Sequence, residues 1–393
     1  MERDAVIVAA CRTAIGKYAG TLAPCKDYEL GATVIREVID RAGLTGKEGL
    51  IDDVYFGNLL GVPGNVAKVA AMGAGIPDEV PAVTVDRQCA SGLEAVFIAT
   101  AMIQSGMGDF YIAGGCESMT NRPYYMEKPN RAYSGNPPKF LGNMFTPPEG
   151  FEQIGMGDTA ENILEDYDIS REELDEFAII SHKKALKAIS QGVFKDQIVP
   201  IKVRHKKDSI VFDTDEGPRS DTNLEQLSKL KTIFKEDGKV TAGNSCPMND
   251  GASAVIVMSR KKAEELKCPI LCSVKATAVA GVDYRKMGLG PIFAVRKLFE
   301  RTDISLSDIG LIELNEAFAS QAIACIRELN LNPDIVNVNG GAIALGHPLA
   351  ATGAILLTKL IYEMKKRNVR YGLVTMCIGG GQGMAMILEN EER

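Results

Sequence analysis

The sequence predicts an α/β architecture, and three observations carry that reading. Short apolar runs alternate with longer helical patterns, as in Ala5 to Ala10, then Glu29 to Ala42, then Asp53 to Phe56. At 393 residues the chain exceeds the size at which one hydrophobic core keeps growing, so two or three packed units are expected. The third observation is an internal echo. Val83-Thr84-Val85, Cys89, the apolar helix Leu93 to Ile103, the strand Phe110 to Ala113 and Gly114-Gly115 follow one another in the first half. Val336-Asn337-Val338, His347, the helix Ala354 to Met364, the strand Gly372 to Met376 and the glycines from Gly379 follow in similar order in the second. The repetition is one of order, not of identity, and it predicts two related halves.

Between the halves the pattern changes. From about Asn121 to Gly150, Pro123, Pro129, Pro137, Pro138, Pro147 and Pro148 stand among Gly, Asn and aromatic residues, which predicts a long excursion from the core with a functional or assembly role. A helical segment is expected from about Thr159 to Gln191, and a polar, irregular stretch from about Lys206 to Asn223, leading to Ala242-Gly243-Asn244.

Composition narrows the function classes. Hydrophobic residues make up 46% and charged residues 24%, and no apolar run approaches the roughly 20 residues a membrane span requires. The net charge of -7 argues against a nucleic-acid platform, and the Lys and Arg cluster at 202 to 207 reads as solvated surface. The acidic start Met1-Glu2-Arg3-Asp4 and the short apolar stretch before Arg12 do not predict a cleaved signal. Nine cysteines without CxxC or zinc-like Cys/His spacing predict neither a disulfide scaffold nor a metal site, and reduced thiols predict a cytoplasmic location. Only His182, His205 and His347 are available for imidazole chemistry.

Four segments could carry chemistry. Asp86-Arg87-Gln88-Cys89-Ala90-Ser91-Gly92 places a thiol between an extended run and an apolar helix, whose N-terminus favours a thiolate. That help matters because an unperturbed cysteine is only about 3% ionised at neutral pH. The alternative is a buried core cysteine. In Gly346-His347-Pro348 the proline favours extended geometry at His347 and can open the next helix, while the glycine leaves room for a ligand. A general base and a structural turn histidine both fit. Cys377-Ile378-Gly379-Gly380-Gly381-Gln382-Gly383 ends too near the C-terminus for a nucleotide-binding βαβ unit, so it reads as an oxyanion hole or a tight hairpin. Asn315-Glu316-Ala317-Phe318 follows the apolar run Ile309 to Leu314, where an amide can hold a water or serve as a helix N-cap.

Together these segments resemble the four catalytic loops of thiolases in order and spacing. The resemblance extends to Val6 through Thr13, Gly114-Gly115-Cys116-Glu117-Ser118-Met119, Thr159-Ala160-Glu161-Asn162 and Asn249-Asp250-Gly251-Ala252. It implies a thiolase fold of two similar βαβαβ-type halves in an α-β-α-β-α arrangement with an inserted loop domain. The implied boundaries are 1-119 with about 250-268, then 120-249, then 269-393. It also implies an acyl-CoA acyltransferase that joins two acetyl-CoA to acetoacetyl-CoA or cleaves 3-ketoacyl-CoA by a ping-pong route. Cys89 would be acylated, His347 its base, and Cys377 the residue that moves the α-proton. His347 with a water held by Asn315 would serve an enolate oxygen, and the N–H groups of Cys89 and Gly379 a tetrahedral one. Met156, Arg219, Phe234, Ala242, Ser245, Met248, Ala317 and Phe318 match coenzyme A contacts. Coenzyme A is then a substrate, no metal or other cofactor is expected, and the partner is a second copy in a homodimer or homotetramer. Three positions depart from the pattern: Gly155 replaces a frequent histidine, Cys246 a frequent serine and Ala350 a frequent glycine. A ketoacyl synthase-like condensing enzyme and a non-catalytic acyl-CoA or lipid-binding relative are the rival readings. The first typically pairs its cysteine with two histidines, and the second needs no pair of thiols.

Overall fold

The computed structural model describes residues 3–62, 64–129, 131, 137–141, 147–205 and 208–391. Parts of the proline-rich excursion and two lysines of the basic cluster, Lys206 and Lys207, lie outside the described residues. The first half runs β1 (Ala5–Thr13), β2 (Gly16–Lys17), α1 (Asp27–Arg41), β3 (Asp53–Gly57), α2 (Val66–Gly73), β4 (Ala82–Val85), α3 (Ser91–Ser105) and β5 (Phe110–Ser118). The middle holds α4 (Met156–Asp166), α5 (Arg171–Ser190), β6 (Ile198–Val199), the hairpin β7 (Ile201–His205) and β8 (Asp208–Phe212), and α6 (Leu224–Ser228). Then come β9 (Asn249–Ser259), α7 (Arg260–Leu266), β10 (Cys272–Gly281), α8 (Gly290–Phe299), β11 (Ile309–Leu314), α9 (Ala319–Glu328), α10 (Ala342–Leu345), α11 (Leu349–Arg367), β12 (Tyr371–Ile378) and β13 (Gln382–Asn390).

Period-two alternation along the central strands sorts their side chains between different apolar cores. On β1, β5 and β9, Val6, Val8, Phe110, Ile112, Ile256 and Met258 pack with α1 and α2 residues such as Leu30 and Ala70. Their neighbours Ala5, Ile7, Tyr111, Ala113, Val255 and Val257 face a second core with α3 and α11. Val374, Met376, Met384, Met386 and Leu388 of β12 and β13 reach that same core from the other side. Leu373, Ala385 and Ile387 turn outward to a third core with α8 and α9. Two outer cores and a middle one that encloses the α3 and α11 layer on both faces give the five-layer α-β-α-β-α arrangement.

Hydrogen bonding follows one path, β11-β12-β13-β10-β1-β9-β5-β3-β4. The halves join where Val6 faces Ser273 and Ile7 faces Cys272. On each side the pairing sequence is the same. β3 is parallel to β5, which is antiparallel to β9, which is antiparallel to β1; β11, β12, β13 and β10 repeat this order. The echo in the sequence is therefore an echo in topology.

Three local expectations need correction. Val336 to Val338, the counterpart of β4 in the internal echo, is not a strand as β4 is: Val336 makes one parallel bridge to Ile312, and Asn337 is left-handed at φ 45°. The Asn337 side chain bonds both the N–H and the C=O of Leu314, so an amide supplies what a strand partner would. The segment 159–191 is two helices, because α4 ends at Asp166 and Ser170 caps α5 by accepting from the Glu173 N–H. Part of the polar stretch after Lys206 is the strand β8, paired with β7.

Two glycines set the centre of the molecule. A Cβ on Gly92 would lie 2.6 Å from the Ala350 carbonyl oxygen, and one on Gly353 would lie 2.6 Å from the Leu93 nitrogen. The first turns of α3 and α11 are thus in backbone contact, which draws together the segments that precede them. Those segments carry Cys89 and His347.

The middle region is tied to β1 by a buried ion pair. Arg12 and Asp215 are 0% exposed at their side chains and meet at 2.7 and 2.9 Å, with Gln197 taking the Arg12 Nε–H at 2.8 Å. Asp215→Ala strands a buried guanidinium and is expected to cost about 3–5 kcal/mol in chemical denaturation, whereas a loss under 1 kcal/mol would contradict a dry, paired site.

Candidate active site

Cys89 follows Gln88, a non-glycine residue at φ 49°, and precedes α3 by two positions. Ser91 stabilises this turn, since its Oγ accepts from the Arg87 N–H and donates to the Gln88 C=O at 2.6 Å. Left-handed backbone at a side chain costs of order 1–3 kcal/mol, and its persistence beside a thiol marks a built site. Proximity to the helix N-terminus does not yield a ready thiolate, contrary to expectation. Burial pushes the Cys89 thiol up to about 11, although the backbone N–H groups of Gly379 and Cys89 itself pull the other way. The helix end cannot offset apolar surroundings that include Leu60, Met119 and Leu349.

Those same N–H groups are directed at the Cys89 sulfur, so two backbone donors stand beside the thiol. Gly379 owes its place to the β12–β13 hairpin, which closes at Ile378 and Gln382 with Gly380 and Gly381 at φ 84° and 80°. The hairpin reading and the oxyanion reading of this glycine run are therefore compatible. Cys377, the penultimate residue of β12, is buried, and burial raises its pKa well above the thiol range, with Cys89, Cys325 and Cys246 adding to the rise.

His347 is held from three sides. Its backbone N–H donates to Asn249 Oδ1 at 2.9 Å, and its Nδ1 lies 2.6 Å from Thr352 Oγ1. Because the Thr352 hydroxyl donates to the Pro348 carbonyl, its oxygen is left to accept, which assigns the ring proton to Nδ1. Nε2 is then an unprotonated base, 3.5 Å from Asn315 Nδ2. Burial lowers the His347 pKa to about 4, which keeps the ring neutral at physiological pH. Gly346, at φ 115°, does not make room for a ligand as expected. A Cβ there would lie 2.5 Å from Asn249, so the glycine makes room for the amide that holds His347. Gly346→Ala should cost about 2–4 kcal/mol in equilibrium unfolding, the sum of backbone strain and overpacking; a neutral result would contradict the close fit.

Asn315 is not a helix N-cap. Phe318 occupies that position for α9, while Asn315 is fully buried and donates its N–H to the Thr375 C=O at 3.0 Å. Its Oδ1 has no hydrogen-bond partner, an orphan acceptor beside the imidazole.

Cys89, His347, Cys377 and Gly379 line one cavity of about 440 Å3. Met156, Phe234, Ser245, Met248, Ala317 and Phe318 share its walls, as do Gly155 and Cys246. A second cavity of about 340 Å3 is lined by Arg219 and Ala242 and shares Ser245, Pro247 and Met248 with the first. His182 lies in this second cavity and accepts from the Arg219 N–H, so it is remote in role from the thiols. The third departure, Ala350, is buried in α11 and donates its N–H to Glu117.

Family comparison covers almost the whole chain. Residues 5–261 match the model of the thiolase N-terminal domain, and residues 268–390 that of the thiolase C-terminal domain. The chain belongs to the thiolase family. It is 46% identical to an acetyl-CoA acetyltransferase of Syntrophomonas wolfei, with 99% of this chain and 100% of that protein covered. A 3-ketoacyl-CoA thiolase of Bacillus subtilis is 44% identical, with 98% and 99% covered. The crystal structure of the Bacillus anthracis acetyl-CoA acetyltransferase superposes with a TM-score of 0.94 at 40% identity, covering 99% of each chain.

In this thiolase, sequence reasoning missed the residues that hold His347 and several that shape the cavity. Thr352 follows His347 by five residues on a helix and carries no pattern of its own, whereas Asn249 opened a segment already similar to the family. Ile154, Gly157, Met287 and Leu349 line the cavity without a readable motif, and Gln88 and Met119, which stand in segments similar to the family, line it too. No group of side chains suited to a metal ion occurs among the described residues, and none of their helices is long and apolar enough to cross a membrane.

Proposed function

We propose that the chain is an acyl-CoA:acetyl-CoA C-acyltransferase that runs a reversible Claisen condensation, or the reverse thiolysis, through an acyl group on Cys89. The observation that carries this reading is the convergence of two thiols, a neutral imidazole and backbone donors on one cavity. Nε2 of His347 takes and holds the Cys89 proton, the sulfur attacks the thioester carbon, and the C–S bond to coenzyme A breaks as its thiolate leaves and takes the Cys377 proton, which leaves Cys377 ionised. Acetyl-CoA then gives its α-proton to the Cys377 thiolate, and the carbanion attacks the acyl carbon and releases the Cys89 sulfur, which recovers its proton from His347. An α-proton next to a thioester is a weak acid. A thiol whose pKa is raised by burial makes a stronger base once ionised, and Asn315 with His347 supplies donors for the enolate oxygen.

Coenzyme A enters as a substrate along the two joined cavities. Met156, Phe234, Ala317 and Phe318 would flank its acyl-bearing arm, Ser245 and Met248 the passage, and Arg219 and Ala242 the nucleotide end. Among the described residues His347 is the one histidine that lines the catalytic cavity, which favours this reading over a ketoacyl synthase with two histidines. Nine free thiols support a reducing cytoplasmic setting, and exposed Tyr124, Phe140 and Leu141 on the excursion support assembly into a homodimer or homotetramer.

The test is loss of the ketoacyl thioester when purified protein is mixed with acetoacetyl-CoA and free coenzyme A. Turnover is expected, and absence of turnover with 3-ketoacyl-CoA of every chain length would refute the proposal. The pH profile gives a second check. The neutral imidazole is the active form, so a pKa lowered to about 4 keeps the base competent through pH 5–6 and loses it only as pH falls through about 4. Initial rates of kcat/KM that halve near 6.5 would contradict the buried base.

A further inference from the structure

Glu316 stands next to Asn315 but faces away from the cavity chemistry, and it is 2% exposed. Its Oε2 accepts from the Ser181 hydroxyl at 2.6 Å and from the Ile343 N–H at 3.3 Å, and its Oε1 accepts from Asn337 Nδ2 at 2.8 Å. Ser181 Oγ also takes the Gly341 N–H at 3.1 Å. Gly341 is required by this arrangement, because a Cβ there would lie 2.0–2.4 Å from the Glu316 carboxylate. The carboxylate therefore sits directly under the turn that starts α10, and α10 leads through Gly346 to His347. Among the described residues no cation is in ion-pair contact with it. Lys359 exerts its charge from further away, and burial raises the Glu316 pKa despite the three donors.

Glu316 thus binds two separate pieces of chain. One carries the Asn315 amide, fixed also by the Asn315 N–H to the Thr375 C=O. The other carries the His347 imidazole, fixed also by Asn249 and Thr352. We infer that Glu316 is a positioning residue, whose carboxylate sets the approach of the Asn315 amide to His347 Nε2 and so builds the donor pair for the enolate oxygen. The inference rests on the proposed role of that pair. It makes an asymmetric prediction, since His347 keeps its other two anchors when Glu316 is lost. Acylation of Cys89, which needs His347, persists, and enolate formation, which needs both groups, falls.

Two half-reactions read this out separately: acyl transfer to Cys89, by mass spectrometry after rapid mixing with acetyl-CoA, and exchange of the acetyl-CoA α-protons in D2O. Glu316→Ala is expected to lower exchange about 30-fold or more while acylation stays within about 5-fold, measured well below the melting temperature. Glu316→Gln keeps the length and an acceptor and should recover most of the exchange. If the alanine variant does not accumulate, Glu316→Asp carries the same expectation, because it withdraws the carboxylate by one methylene. Asn315→Ala is the control for the underlying reading. If it leaves exchange unchanged, the enolate role of the pair fails. If it lowers exchange while the Glu316 variants leave exchange unchanged, or lose both half-reactions equally, the positioning role is overturned.

Discussion

Cys89→Ala is expected to leave no acyl adduct and to lower turnover of a 3-ketoacyl-CoA by at least about 10,000-fold. The size follows from what the substitution removes. Without the sulfur there is no covalent carrier, and the remaining N–H groups of Gly379 and residue 89 can only polarise a bound carbonyl. The fold should be unaffected, because Cys89 is a half-buried residue at the edge of two apolar clusters and alanine fills most of its volume. A variant that keeps more than a hundredth of wild-type turnover with a normal melting temperature would show that the acyl group travels by another route.

Cys377→Ala is expected to separate the two half-reactions. Cys89 still takes the acyl group, since neither His347 nor the oxyanion donors depend on Cys377. The α-proton, however, loses its acceptor, and carbon-carbon bond formation and cleavage should fall by about 1,000-fold or more. The physical reason is basicity. Among the groups on the cavity, the neutral imidazole of His347, with a pKa lowered to about 4, is too weak a base for a carbon acid, whereas the Cys377 thiolate is a strong one. Mass spectrometry of the adduct and deuterium exchange of acetyl-CoA measure the two halves. Loss of both together would make Cys377 part of the acylation machinery instead.

How far the sequence reached depends on the kind of interaction involved. The strands of both halves were legible because a short continuous apolar run is a local property, as in Ala5 to Ala10 and Met384 to Leu388. The internal order around Cys89 and His347 anticipated the repeated topology. Val336 to Val338, set against Val83 to Val85 in that order, forms no strand, and only the tertiary structure reveals that the Asn337 side chain replaces a strand partner. The break between α4 and α5 lies in a stretch whose apolar spacing continues across it, and Ser170 as a cap was the overlooked signal. At the site, the reacting groups stood in motifs, but the anchors other than Asn249 did not. Thr352, Ser181 and Gly341 act through contacts between segments distant in the chain. Their identities became meaningful only once α5, α10 and α11 were placed. The helix-end argument for a thiolate failed for a similar reason, because the apolar residues around Cys89 come from Leu60, Met119 and Leu349, each from a different segment.

The central claim is that Cys89 carries the acyl group and Cys377 handles the proton. Peptide mapping of wild-type protein, quenched in acid after brief exposure to acetyl-CoA labelled in the acetyl group, tests it most directly. The label is predicted on the peptide that contains Cys89, and on no other cysteine of the cavity. Label on Cys377 would reverse the assignment, and label on Cys246 would show that the third thiol of the cavity is the acyl carrier.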